Sequence, residues 1–137
     1  MSAIDVALPR VQQEEGFRGM AYLDTEGHRT IGYGFDVDAG ITQYAATGLL
    51  TAQLQELDRA FQVFQWYAAL DPVRQSVCID MAFNLGFHEF VNGWPRLIAA
   101  LTAQNWPAAQ AECHTSTVED EGRYTRLGQL LLTGGET

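Results

Sequence analysis

Three side chains near the N-terminus have the types and spacing to cleave a bond whose leaving group must be protonated. Glu15, Asp24 and Thr30 fall within EEGFRGMAYLDTEGHRT, residues 14–30. Two carboxyl groups in unlike settings are the usual equipment for cutting a glycosidic bond: one protonates the leaving oxygen, the other activates water or attacks carbon. Glu15 closes a helical stretch just before Gly16, by the negative end of the helix dipole, where a carboxyl group tends to keep its proton. Asp24 opens the turn Asp24-Thr-Glu-Gly27, where backbone N–H groups and hydroxyls favour the ionised form. Thr30, on the returning strand, would orient a water through its hydroxyl. Spacing alone leaves a second reading open, because a glutamate at a helix end and an aspartate in a turn are common surface features.

The elements that must hold these groups can be read from periodicity. Ile4, Leu8 and Val11 share one side of a helix over residues 3–15, with Gly16 as its stop. Pro9 lacks the N–H that a helix interior needs, so the helix is expected to start close before it or to bend there. Met20–Leu23 and Arg29–Tyr33 then read as two strands around the Asp24–Gly27 turn. Gly32, Gly34 and Gly40 extend the sheet region to about Thr42, with room for a third strand. From Leu49 the period is helical. Leu50, Leu54, Leu57, Phe61 and Phe64 predict one buried stripe on a helix of about 15 residues. Asp71-Pro72 opens a further helix that runs through Val77, Met81 and Phe83 to Gly86, and His88 and Glu89 are assigned to the loop behind it. Pro95 and Pro107 suit first helical turns. Ser116 with Glu119 fits a capping box ahead of a last helix that has Tyr124, Leu127, Leu130 and Leu131 inside. The expected fold class is α+β, mainly α, with a small N-terminal antiparallel sheet and helices after it.

Composition narrows the partners. The 137 residues carry a net charge of −9, and all eight basic residues are arginine. Phosphate backbones need clustered basic charge, so no nucleic-acid partner is expected. No apolar run reaches the roughly 20 residues that span a bilayer, so stable membrane insertion is not expected either. The start, MSAIDVALPR, has no basic region ahead of a long apolar run and does not read as a signal peptide. Cys78 sits among apolar residues and reads as a buried thiol, although a disulfide with Cys113 stays open. His28, His88 and His114 show no zinc-ligand spacing with the two cysteines; neither a metal nor another cofactor is expected. Trp66, Trp94 and Trp106 read as core rather than as sugar platforms.

The run E-G-F-R-x-x-A-Y-x-D-T-E-G-x-x-T-I-G-Y-G, Glu15 to Gly34, resembles the signature of the phage-type lysozymes related to the T4 enzyme. L-T-A-Q-L-Q-E-L-D (Leu50 to Asp58), A-F-N-L-G (Ala82 to Gly86), G-W-P-R-L, N-W-P-A-A and R-Y-T-R-L-x-x-L-L-L-T-G resemble later helices of that family. Phe35 stands where the family often has histidine after G-x-G. The resemblance implies a single lysozyme-like domain over residues 1–137, with a sheet-containing lobe at about 14–48 and a helical lobe from about 1–13 and 49–137. It implies a peptidoglycan hydrolase, a muramidase cutting the β-1,4 bond between N-acetylmuramic acid and N-acetylglucosamine with inversion. In this family likeness Glu15 is the acid, Asp24 handles the water and Thr30 positions it. The same likeness makes Asn84 a sugar contact. Apart from it, Tyr33 and His28 are candidate substrate contacts, His28 reading as either a cleft-rim or a solvated side chain.

Arg123 would approach Glu15 from the last helix in support of the acid; its other reading is an i,i+4 partner of Glu119 on an exposed face. The partners implied are peptidoglycan glycan strands, met by a monomer. It would be made in a host cytoplasm and act at the periplasmic cell wall after holin-dependent export, or act from a virion. A non-catalytic wall-binding or virion-structural module on the same fold is the alternative from another class, since fold does not license activity. A lytic transglycosylase, needing only the acid and leaving anhydro ends, is a third.

Overall fold

The computed structural model describes residues 1–115 and 120–136. The chain divides into two compact units, Met1–Gly48 and Leu49–Thr137. Helix α1 (Ala3–Glu15) opens the first. Its N-terminus is set by a capping box: the Asp5 N–H donates to Ser2 Oγ at 3.1 Å and the Ser2 N–H donates to Asp5 Oδ2 at 2.9 Å. That reciprocal pair satisfies donors the first turn would otherwise leave open. The helix therefore begins well ahead of Pro9 and keeps the proline inside, so the expected start close before Pro9 is not found. The cost of a missing N–H is local, and the cap and the following turns outlast it. Gly16 ends the helix at φ 68°, its N–H donating to Gln12 O at 3.0 Å.

Strands β1 (Arg18–Leu23), β2 (Arg29–Gly32) and β3 (Phe35–Asp36) form an antiparallel sheet in the order β1-β2-β3. Tyr22 faces Thr30 and Leu23 faces Arg29, with an irregularity between Arg18 and Tyr22; Thr30 faces Asp36 across the other edge. Thr30 is thus on the central strand and is 5 % exposed, the only buried polar residue among those described. Ile4, Val6, Leu8 and Val11 of α1 are all exposed.

Helix α2 (Gln43–Phe61) starts earlier than the expected Leu49, behind Thr42, whose Oγ1 accepts the Ala45 N–H at 3.1 Å. The predicted stripe is buried only at its end. Phe61 is fully buried, Leu54, Leu57 and Phe64 are half-buried, and Leu50 is exposed. Phe64 has already left the helix and caps the short α3 (Gln65–Ala68). Next come α4 (Pro72–Leu85), α5 (Phe87–Gly93), α6 (Pro95–Thr102), α7 (Trp106–Glu112) and α8 (Glu121–Thr133). His88 and Glu89 belong to α5 rather than to a loop: Gly86, at φ 101°, ends one helix and starts the other without intervening coil. The capping box at Ser116 and Glu119 lies outside the described residues.

The core of the second unit gathers Phe61, Tyr67, Val77, Met81, Phe90 and Leu131, joined by Cys78, Leu97, Leu101 and Tyr124. Both thiols are free and buried, and burial pushes each up to about 12. The three tryptophans are half-buried against this core, as expected from the sequence. Trp94 stacks on Tyr124 and Trp106 lies under the Arg74 guanidinium at 3.7 Å. Arg74 also donates to the Leu131 and Leu132 carbonyls at 2.8 and 3.2 Å, satisfying acceptors that the end of α8 leaves open. Its N–H and Nη1 donate to Asp71, the N-cap of α4. Burial opposes ionisation of Asp71, but these Arg74 bonds outweigh it and hold the carboxyl below its ordinary range. One arginine thereby ties the start of α4 to the end of α8.

Candidate active site

Within the first unit, α1 delivers Glu15 as its last residue, and the glutamate is exposed. Its carboxylate lies against the turn between β2 and β3. A Cβ placed on Gly34, which has φ +87°, would sit 3.1 Å from Glu15 Oε2. Any larger residue there would combine left-handed strain with a shift of a few tenths of an ångström by the exposed carboxyl group, so backbone conformation is the main reason for glycine. Tyr33, one position earlier, accepts a hydrogen bond from Gln12 Nε2 at 3.2 Å, and its ring is 5.6 Å from that of Phe17. These contacts fasten the end of α1 to the sheet turn, a positioning part for Tyr33 that the sequence reading as a sugar contact did not include.

Asp24 occupies the β1–β2 turn. Its N–H donates to His28 O at 2.9 Å, and its carbonyl accepts the Gly27 N–H at 3.1 Å, which closes the hairpin. One side-chain oxygen, Oδ1, accepts the backbone N–H groups of His28 and Glu26 at 2.8 and 2.9 Å. The His28 N–H bond is the main reason the carboxyl is held below its ordinary range; slight desolvation opposes it, and the Glu26 N–H and the nearby imidazole add to it. An ionised Asp24 is what the turn chemistry of the sequence predicts. Thr30 spends its hydroxyl proton on His28 O at 3.0 Å, which leaves its oxygen lone pairs as acceptors. The rim of the same hairpin carries an Arg29–Asp38 ion pair that no spacing in the sequence announces.

Asn84 and Arg123 belong to the second unit. Asn84, near the end of α4, is exposed and accepts a hydrogen bond through Oδ1 from the Tyr124 hydroxyl at 2.9 Å. Its neighbours Ala82, Phe83 and Gly86 line a cleft of about 430 Å³ together with Gln53, Glu56 and Phe87. Arg123 donates through Nε and Nη2 to Asp80 Oδ1, the Nε bond being 2.8 Å. No spacing in the sequence singles out Asp80 as its partner. Glu119 lies outside the described residues. The Arg123–Asp80 pair joins α8 to α4, residues 43 apart, and only tertiary packing could reveal it. Among the described residues no helix is long and apolar enough to cross a membrane.

A helix ending on a glutamate, a three-stranded antiparallel sheet and a following series of helices define a mainly helical α+β protein of lysozyme-like fold. Residues 12–128 match the family described as phage lysozyme, and the chain belongs to that family. Its general class is accordingly a phage-type peptidoglycan hydrolase. Compared with curated proteins one by one, the chain matches none.

Proposed function

We propose that the protein is an inverting muramidase that hydrolyses the β-1,4 bond between N-acetylmuramic acid and N-acetylglucosamine, and that residues 1–137 act as one lysozyme-like domain. Glu15 gives its proton to the glycosidic oxygen, and Asp24, ionised in its turn, takes a proton from the water that attacks the anomeric carbon. The acceptor lone pairs of Thr30 help to hold that water. Asn84, Tyr33 and His28 contact sugar. The observation that carries this reading is the division of labour in the Asp24 carboxylate: two backbone N–H groups fix Oδ1, while among the described residues Oδ2 meets only the His28 ring, at 3.5 Å, and keeps an edge for the water. A carboxylate held in this way is oriented and ionised, as a general base must be. Inversion requires room for water between the two carboxyl groups, a separation of roughly 6.5–9.5 Å. The finished protein would be a monomer that reaches the wall by holin-dependent export or on a virion.

Digestion of purified sacculi tests this. Mass spectrometry of the released fragments is expected to show reducing N-acetylmuramic acid ends. Anhydro ends, lighter by one water, would make the protein a lytic transglycosylase. Fragments held by the protein but not shortened would make it a binding module.

A further inference from the structure

The hairpin that presents Asp24 also brings an imidazole to the oxygen the mechanism needs. His28 Nδ1 lies 3.5 Å from Asp24 Oδ2 and 3.9 Å from Glu26 Oε2. Its backbone N–H is one of the two bonds that fix Oδ1, so residue 28 touches both oxygens of the same carboxylate. Two chemically different contacts from one residue split the carboxylate: the main chain fixes its plane, and the ring faces the edge offered to solvent. The other charged groups around the ring are few. Asp38, behind β3, feels the imidazole but is engaged mainly by Arg29, which is next to His28 in the chain. Glu26 is open to solvent, with 79 % of its side chain exposed. Among the described residues, Asp24 is the carboxylate nearest the ring.

We propose that His28 is a positioning residue for Asp24, whose proton decides whether Oδ2 is offered to the attacking water or held in an ion pair. This rests on the reading of Asp24 as the base. Histidine is the side chain whose charge ordinarily changes between pH 5 and 8. When the ring is charged, Nδ1–H draws Oδ2 toward itself, occupies a lone pair and lowers the basicity of the carboxylate. Its positive charge also stands beside a reaction centre that becomes cationic in the transition state. Both effects slow cleavage. Loss of the proton releases Oδ2 and removes the charge, so turnover rises with pH through the histidine range. The pair is partly exposed, with 55 % of the His28 side chain and 33 % of that of Asp24 open to solvent. The effect is therefore about two- to fivefold, the size an exposed ion pair supports.

The test compares kcat on solubilised glycan strands from pH 5 to 8.5, at constant ionic strength, for the wild type, His28→Gln and His28→Lys. The ratio of His28→Gln to wild type is expected to rise about two- to fivefold from pH 8 to pH 5.5. His28→Lys, charged throughout, is expected to stay below His28→Gln by a constant factor across the range. A ratio of His28→Gln to wild type that does not change with pH overturns the proposal, whereas a mere rim contact to sugar would shift KM at every pH and leave the kcat ratio flat. A second measurement needs no change at position 28. The ring-nitrogen resonances of His28, followed by NMR at about pH 5.5, are expected to shift when Asp24 is replaced by Asn, because the contact between Nδ1 and Oδ2 is lost, and an unchanged spectrum overturns the proposal. If Glu15→Gln cleaves as fast as wild type, it is the muramidase reading that fails, while the NMR comparison still reports on the pair.

Discussion

Glu15→Gln is expected to slow the clearing of peptidoglycan suspensions by about 10²–10⁴-fold, the contribution of a positioned general acid. An acetal oxygen leaves as an alkoxide unless it is protonated as the bond breaks, and glutamine keeps the shape of glutamate without a transferable proton of useful acidity. The substitution is otherwise mild. Glu15 is exposed at the last position of α1, and the helix end is set by Gly16 rather than by the carboxyl group. Gly34 beside Oε2 has no side chain to crowd an amide of the same size. Exposed positions of this kind change stability by no more than about 0.5 kcal/mol. Circular dichroism and thermal melts of the variant should therefore overlay those of the wild type while clearing is lost. Equal clearing by both proteins would remove Glu15 from the mechanism.

Phe61→Ala is expected to cost about 3–5 kcal/mol of stability, the range for deleting a fully buried aromatic side chain. Phe61 is the last residue of α2 and has no exposed surface. It stacks on Tyr67 with ring centres 4.8 Å apart and meets Phe87 at 4.9 Å, Phe90 at 5.7 Å and Trp66 at 6.2 Å. These neighbours come from α3 and α5, so the ring is where three elements converge. Tyr67 is held on its other side as well, its hydroxyl donating to Asp58 of α2, and collapse of the cavity would strain that bond. Urea unfolding should show the loss directly, and the midpoint of thermal unfolding should fall by roughly 10 °C or more. A loss below about 1 kcal/mol would mean that the aromatic cluster repacks freely and does not organise the second unit.

Much of this architecture was legible because local chemistry decided it. The Asp24–Gly27 turn fixed the hairpin, Asp71-Pro72 and Gly86 bracketed α4, and Tyr124, Leu127 and Leu131 marked the buried side of α8. Each case joins a strong punctuating residue to an unambiguous period. Errors arose where that coupling was weak. The start of α2 carries no apolar period, so nothing in the sequence announces Gln43–Gly48 as helix, and the stripe that begins at Leu50 meets its core only toward Phe61. Gly86 has the look of a helix stop followed by a loop, yet a single glycine at positive φ suffices to launch α5 in a new direction. The candidate site divides along the same line. The types and spacing of Glu15, Asp24 and Thr30 suggested chemistry that spacing could not separate from an ordinary surface, and the longer motif around them pointed to the family. Contacts between distant segments, such as Arg123 with Asp80 and Arg74 with the end of α8, had no signal in the linear chain.

The central claim is that cleavage is a single displacement in which Glu15 protonates the leaving oxygen while Asp24 drives a water onto the opposite face of the sugar. Proton NMR of a digest, recorded before mutarotation equilibrates the products, reads that stereochemistry from the newly formed reducing end. Release of the α-anomer from the β-linked strand is the predicted result. Initial release of the β-anomer would contradict the account, because it requires two displacements and a carboxylate that attacks carbon instead of activating water.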